Sequence, residues 1–192
     1  MVDTDTMMNE MGGAFMVAWL AGGMDSLEGA LVLAAAWMAI SGAHILPVIT
    51  WGHIMTADLS DSGAWQDNGS RLAAQVVGAL IAVVLMTEAG EVGPAYDAAL
   101  TSAWEVDLWP AMGTVAAGAL LWTVYDRCDA WVTAFVVLAM SGTLALGGAQ
   151  DMGAMIMGDL GGDFLDVASN WVMNGALAGV GALVSVKVAD MA

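Results

Sequence analysis

Between Gly29 and Ala57 the chain has no Asp, Glu, Lys or Arg, yet the run is broken midway by Ser41-Gly42-Ala43-His44-Ile45-Leu46-Pro47-Val48-Ile49-Thr50, a small, polar, proline-stopped stretch. The run is too long for one membrane helix, which needs about 20 residues, so the break falls where a hydrocarbon core would be. Irregular backbone survives at that depth only where protein buries it or where it lines a wet cavity, because lipid satisfies no free N–H or C=O. Proline suits the first turn of a helix, where its missing N–H would have had no partner. The expectation is a short helix over 47–57 that begins inside the bilayer and does not cross it.

The remainder of the chain fits a membrane setting. Its 192 residues are 59% hydrophobic with positive mean hydropathy, beyond the range of an ordinary soluble domain. Uncharged runs at 11–24, 29–57, 72–87, 108–125, 130–150 and 167–186 give six candidate spans in a single domain over 1–192. The expected helices cover about 7–24, 27–41, 71–88, 105–125, 130–146 and 167–188, with polar loops at 58–70 and 90–104 and a second break at 147–155.

Charge narrows the function. The net charge is −17, with the acids gathered between the apolar runs, which argues against nucleic acid or an anionic membrane surface as partner and for either a high-salt habitat or an acidic solvated rim. Cys128 stands alone, so neither a disulfide framework nor a cysteine metal site is expected. The first apolar run has no basic flank and leads directly into the next, unlike a cleaved signal. An enzyme is not expected, for there is no nucleophile–base pair, metal-ligand spacing or phosphate loop, and no cofactor is implied. A retinal-dependent pump would need a lysine at mid-membrane, and Lys187 lies near the chain end.

The basic residues orient the chain. Arg71, Arg127 and Lys187 all fall on one side if both breaks dip in and return. Positive charge favours the cytoplasmic side, which places both termini there in a multi-pass protein. The halves also match each other. Gly42-Ala43-His44-Ile45-Leu46-Pro47-Val48 and Gly148-Ala149-Gln150-Asp151-Met152-Gly153-Ala154 share Gly-Ala, three residues, a breaker and a small or branched residue. With three spans per half, the copies at about 7–88 and 105–188 must be inverted, an architecture whose broken helices meet near the midplane at the conduction or binding site.

Ser41-Gly42-Ala43-His44 followed by Leu46-Pro47-Val48 and Thr50 resembles the first Asn-Pro-Ala loop of the aquaporin, or major intrinsic protein, family. Glu10 with Gly13 and Phe15 is similar to that family's first-helix pattern, and Ala74-Gln75-Val76-Val77-Gly78-Ala79 to its third-helix pattern. Gly113-Thr114 follows the fourth helix, Gly148-Ala149 with Ala154 and Gly158 the second loop, and Trp171-Val172 with Gly175 and Gly179 the sixth helix. The resemblance implies an all-α membrane fold of six transmembrane helices plus two re-entrant half-helices in an inverted repeat, assembled in lipid as a homotetramer with one pore per subunit.

It also implies where the pore lies and how this one differs. The first re-entrant motif is His44, Leu46, Pro47 and Val48, and the second is Asp151, Met152, Gly153 and Ala154. Leu46 and Met152 stand where the family has asparagine, and Gly153 where it has the second proline. The constriction falls on Glu28, Met140 and Met155, the last in place of the family's arginine, and Pro110 stands where the fourth helix would carry glutamate. His44 is expected to hold its loop by hydrogen bonding, Asp151 to bond loop N–H groups, and Glu28 to be the solvated start of its helix. His53 is expected to pack or face the surface, and the tryptophans to anchor at the interfaces. An apolar constriction can gate by dewetting. The implied function is a channel for water or small neutral solutes with altered selectivity, and the alternative is a non-conducting subunit of the same fold.

Overall fold

The computed structural model describes residues 3–21, 26–88, 108–141 and 164–191, and every regular element among them is an α-helix. The seven helices are α1 (Thr4–Ala21), α2 (Leu27–Ala39), α3 (Pro47–Thr56), α4 (Ser62–Glu88), α5 (Leu108–Arg127), α6 (Ala130–Ser141) and α7 (Phe164–Ala189).

Local signals explain the starts of the first four. Asp3 opens α1: its carboxylate accepts from the Thr6 hydroxyl at 2.8 Å and the Asp5 N–H at 3.2 Å. Those donors, the Thr6 hydroxyl above all, hold the Asp3 carboxyl below its ordinary value. Ser26 caps α2, its hydroxyl accepting the Gly29 N–H at 2.9 Å. Pro47 is the first residue of α3, as its fixed φ favours.

Helix α4 differs from the sequence expectation. It begins at Ser62, not Arg71, because Asp61 accepts the Gly63 N–H on its carboxylate at 2.8 Å and the Trp65 N–H on its carbonyl at 3.2 Å. The polar stretch over 62–70, expected as loop, therefore forms the outer turns of the helix, pinned by the Trp65 indole donating to the Leu59 carbonyl at 3.0 Å. Helix α1 likewise starts at Thr4.

Helices α4, α5 and α7 are long and apolar enough to cross a membrane, while α2 and α6 are shorter apolar helices. Leu20, Met38, Leu120 and Phe135 point outward and are exposed, an arrangement that suits lipid and would be a liability in water. The chain is an integral membrane protein.

Helix α1 lies along α4 and α2, α5 lies along α7 and α6, and α2 crosses to α6. Three glycines let backbones touch most closely: a β-carbon at Gly78 would collide with the Met11 carbonyl, one at Gly118 with the Ala178 carbonyl and one at Gly181 with the Val115 carbonyl. Small residues at such crossings are the usual route to close helix association in lipid. Helix α3 is inside, packed on α7, α4 and α5, with Pro47 through Gly52 and Ile54 all buried. At ten residues it is about 15 Å long, half the thickness of a hydrocarbon core.

Candidate functional site

The site is the loop between α2 and α3 and the polar groups that hold it. The loop turns sharply. Gly42 has φ +81, which glycine adopts freely, and Ile45 has φ +64, a left-handed conformation that a β-branched residue rarely takes. The Leu46 N–H closes back onto the His44 carbonyl at 2.7 Å. Holding Ile45 this way costs about 1–3 kcal/mol, so neighbouring contacts must over-determine it.

Glu10 of α1 supplies those contacts. It is fully buried. Oε1 accepts the His44 N–H at 2.7 Å, and Oε2 the Ile45 N–H at 2.7 Å. The Arg71 guanidinium of α4 pairs with Oε1, and Gln75 Nε2, one helical turn on, donates to Oε2 at 2.8 Å. An ionised carboxylate has about four acceptor positions, and this one meets four donors. Gly13, a turn beyond Glu10 on α1, leaves room for the Ile45 side chain: a β-carbon there would sit 2.6 Å from Ile45 Cγ1.

The network continues to α3. Gln75 Nε2 also donates to the Thr50 hydroxyl at 2.9 Å, and that hydroxyl faces His44 Nδ1 at 3.1 Å. Arg71 also donates to the Gly42 carbonyl at 3.1 Å, and the Trp37 indole to the His44 carbonyl at 3.0 Å. His44 thus engages Glu10, Thr50 and Trp37 at once. Its ring stacks on His53 at 4.0 Å between centroids and 2° between planes, and His53 meets the Trp122 edge at 4.9 Å.

The other expected residues are placed as follows. Leu46 is the N-cap of α3 and contributes no side-chain acceptor there. With Val48 it joins Leu33, Ile49, Leu121 and Val137 in the buried core, against which Met140 packs half-buried. Glu28 is exposed in the first turn of α2. Asp151, Met152, Gly153, Ala154 and Met155 lie outside the described residues. His53, expected to pack or face the surface, packs on His44. Among the described residues no group of three or more His, Cys, Asp or Glu is placed to hold a metal ion.

Sequence reasoning gave Glu10, Arg71 and Gln75 no functional role. A signal for them existed. A carboxylate in an otherwise apolar membrane helix has a partner by default, and Arg71 and Gln75 sit four apart on one face of α4. Trp37 and Thr50 carried no comparable mark, since a tryptophan near a helix end reads as an interfacial anchor.

No family model matches the sequence, and neither does any curated protein. Among solved structures the fold is similar to the X-ray structure of the aquaglyceroporin from Plasmodium falciparum, with 17% sequence identity and a TM-score of 0.65 over 97% of this chain and 95% of that one. A likeness at that identity speaks to architecture, so the chain has an aquaporin-like, all-helical membrane fold.

Proposed function

We propose that the chain is a single channel domain over 1–192 of the aquaporin kind, passing water or small neutral solutes through an apolar, altered selectivity region. Six spans and two re-entrant half-helices, in inverted repeats at about 7–88 and 105–188, make up this reading. The observation that carries it is α3: ten residues, buried inside the bundle, started by a proline and fed by a loop that a buried carboxylate holds in shape. The packing pattern supports the inversion, since α1 on α4 mirrors α5 on α7 and α1 on α2 mirrors α5 on α6.

The chemistry follows from that geometry. The N-terminus of α3 carries a partial positive charge that repels cations, and the loop before it offers carbonyls as acceptors. Leu46 takes the N-cap without a side-chain hydrogen-bonding group, so a permeating water finds fewer partners there than in a pore with asparagine. With Met152 in the second re-entrant motif and Glu28, Met140 and Met155 at the constriction, water flow falls below that of an ordinary aquaporin, and small uncharged solutes pass with less penalty. Lipid and the neutral permeant are the partners; nucleic acid is not, and no catalytic step is involved. A homotetramer in the cell membrane with both termini cytoplasmic completes the picture.

A second reading has its own support. Leu33 and Val137 have no exposed surface and Leu46 only 4%, so the centre is packed, as it would be in a non-conducting subunit of the same fold. Stopped-flow measurements on proteoliposomes separate the two. The channel reading expects permeability above empty liposomes for at least one of water, glycerol and ammonia, and equality for all three refutes it.

A further inference from the structure

We propose that Trp37 is a plug: its indole seals the mouth beside the α2–α3 loop by occupying the His44 carbonyl, and its removal opens water access to Leu46. The inference rests on the channel reading for its consequence in flux, but the seal itself is a property of the fold.

A loop carbonyl can help a permeating molecule only if it has a free lone pair, and a carbonyl oxygen has two. At His44 both are taken, one by the Leu46 N–H at 2.7 Å and the other by Trp37 Nε1 at 3.0 Å. Arg71 occupies the Gly42 carbonyl, two residues earlier. The acceptor row is thus engaged by protein donors at alternate positions, and only the Trp37 bond is a neutral side chain on a separate helix.

The position of the ring suits a plug. Trp37 is half-buried near the end of α2, packed on the core cluster that holds Leu46, Val48 and Leu121. Its ring centroid lies 6.0 Å from that of Tyr125, which in turn lies 5.8 Å from Trp122. Both α5 rings also meet His53 of α3, which stacks on His44, so side chains from α2, α3 and α5 converge beside the loop. Within that group Trp37 alone is tied to the loop backbone through its side chain, so it couples closure to the loop. The seal is limited by one neutral hydrogen bond plus contact area, which makes it weak enough to open.

The test is thiol accessibility in the full chain, reconstituted, with Leu46→Cys in a Cys128→Ser background and a membrane-impermeant methanethiosulfonate added on the face carrying the α2–α3 loop. Trp37→Phe keeps an aromatic ring of smaller volume and loses the N–H; Trp37→Ala loses the ring as well. The expected modification rate at position 46 is slow with Trp37 and rises at least about fivefold in Trp37→Phe, the factor for loss of one hydrogen bond of about 1 kcal/mol, to which the smaller ring adds. It rises further in Trp37→Ala. Trp37→Phe decides the matter if the alanine variant does not fold. Fast modification with Trp37 present, or an unchanged rate in a folded Trp37→Phe, overturns the proposal. Water and glycerol flux on the same vesicles, carrying Trp37→Phe or Trp37→Ala without the added cysteine, separates the two claims. Flux that rises with accessibility supports both, whereas a rise in accessibility with flux still at the empty-liposome level keeps the seal and removes the channel.

Discussion

Replacing Glu10 with glutamine swaps one acceptor oxygen for a donor in a site where all four neighbours donate. The two amide orientations are not equivalent. With the NH2 toward His44 and Arg71, a backbone N–H and a guanidinium both lose their acceptor. With the NH2 toward Ile45 and Gln75, Gln75 can turn its amide and offer Oε1, which has no hydrogen-bond partner among the described residues. Two buried donors are then left without a partner, the Ile45 N–H and the Gln75 Nε2 that has moved to where Oε1 was, each at about 1–3 kcal/mol. The remaining bonds lose their charge assistance, which is worth roughly 1 kcal/mol each. The expected loss is about 4–8 kcal/mol, felt in part at the residue already held at φ +64. Denaturant titration in mixed micelles, following tryptophan fluorescence, measures it, and a cycle with Gln75→Leu tests the assignment. The glutamine penalty should shift when position 75 can no longer turn to rescue it. A loss under about 1 kcal/mol would mean that the loop keeps its shape without the carboxylate, and the over-determination argument would be wrong.

Other consequences are separately measurable. Gly78→Ala forces a β-carbon against the Met11 carbonyl and should cost about 1–3 kcal/mol by separating α1 from α4, read as a lower melting temperature. Leu46→Asn restores a side-chain hydrogen-bonding group at the N-cap of α3 and should raise water permeability in stopped flow; an unchanged rate would place the barrier elsewhere. Thr6→Val should let the Asp3 carboxyl rise toward its ordinary value in an NMR titration, because the Thr6 hydroxyl is the main cause of its lowering. Since the folded value is the lower one, whatever that cap adds to α1 is present above the ordinary carboxylate range and disappears as pH falls through the folded value.

The most legible part of the fold was the break at 41–50, because the signals there are local: a proline at a helix start, small residues before it and no charge for many residues on either side. Helix α3 over Pro47–Thr56 matches the expected 47–57 to within a residue. The outer turns of α4 were misread because polar composition suggests a loop, while the deciding contacts were a single cap at Asp61 and one indole bond from Trp65. The Glu10 network was harder for a different reason. Glu10 and His44 are 34 residues apart in the chain, and only the pairing of α1 with α4 and of both with the loop brings them together. His53 shows the same limit: nothing in its neighbours along α3 indicates that its ring stacks on His44. The expectations for 151–155 fall outside the described residues.

The proposed channel requires the α3 segment and the segment at 151–155 to enter from opposite faces and meet tip to tip. Cross-linking tests it most directly, using Val48→Cys with Ala154→Cys in a Cys128→Ser background, exposed to a mild oxidant or to a one-carbon bis-methanethiosulfonate. A disulfide needs the two Cα atoms within about 7 Å, and the account predicts an intramolecular link that survives dilution with unlabelled subunits. If both thiols react singly with a small probe and neither reagent joins them, the tips do not meet, and the passage built on their meeting is lost.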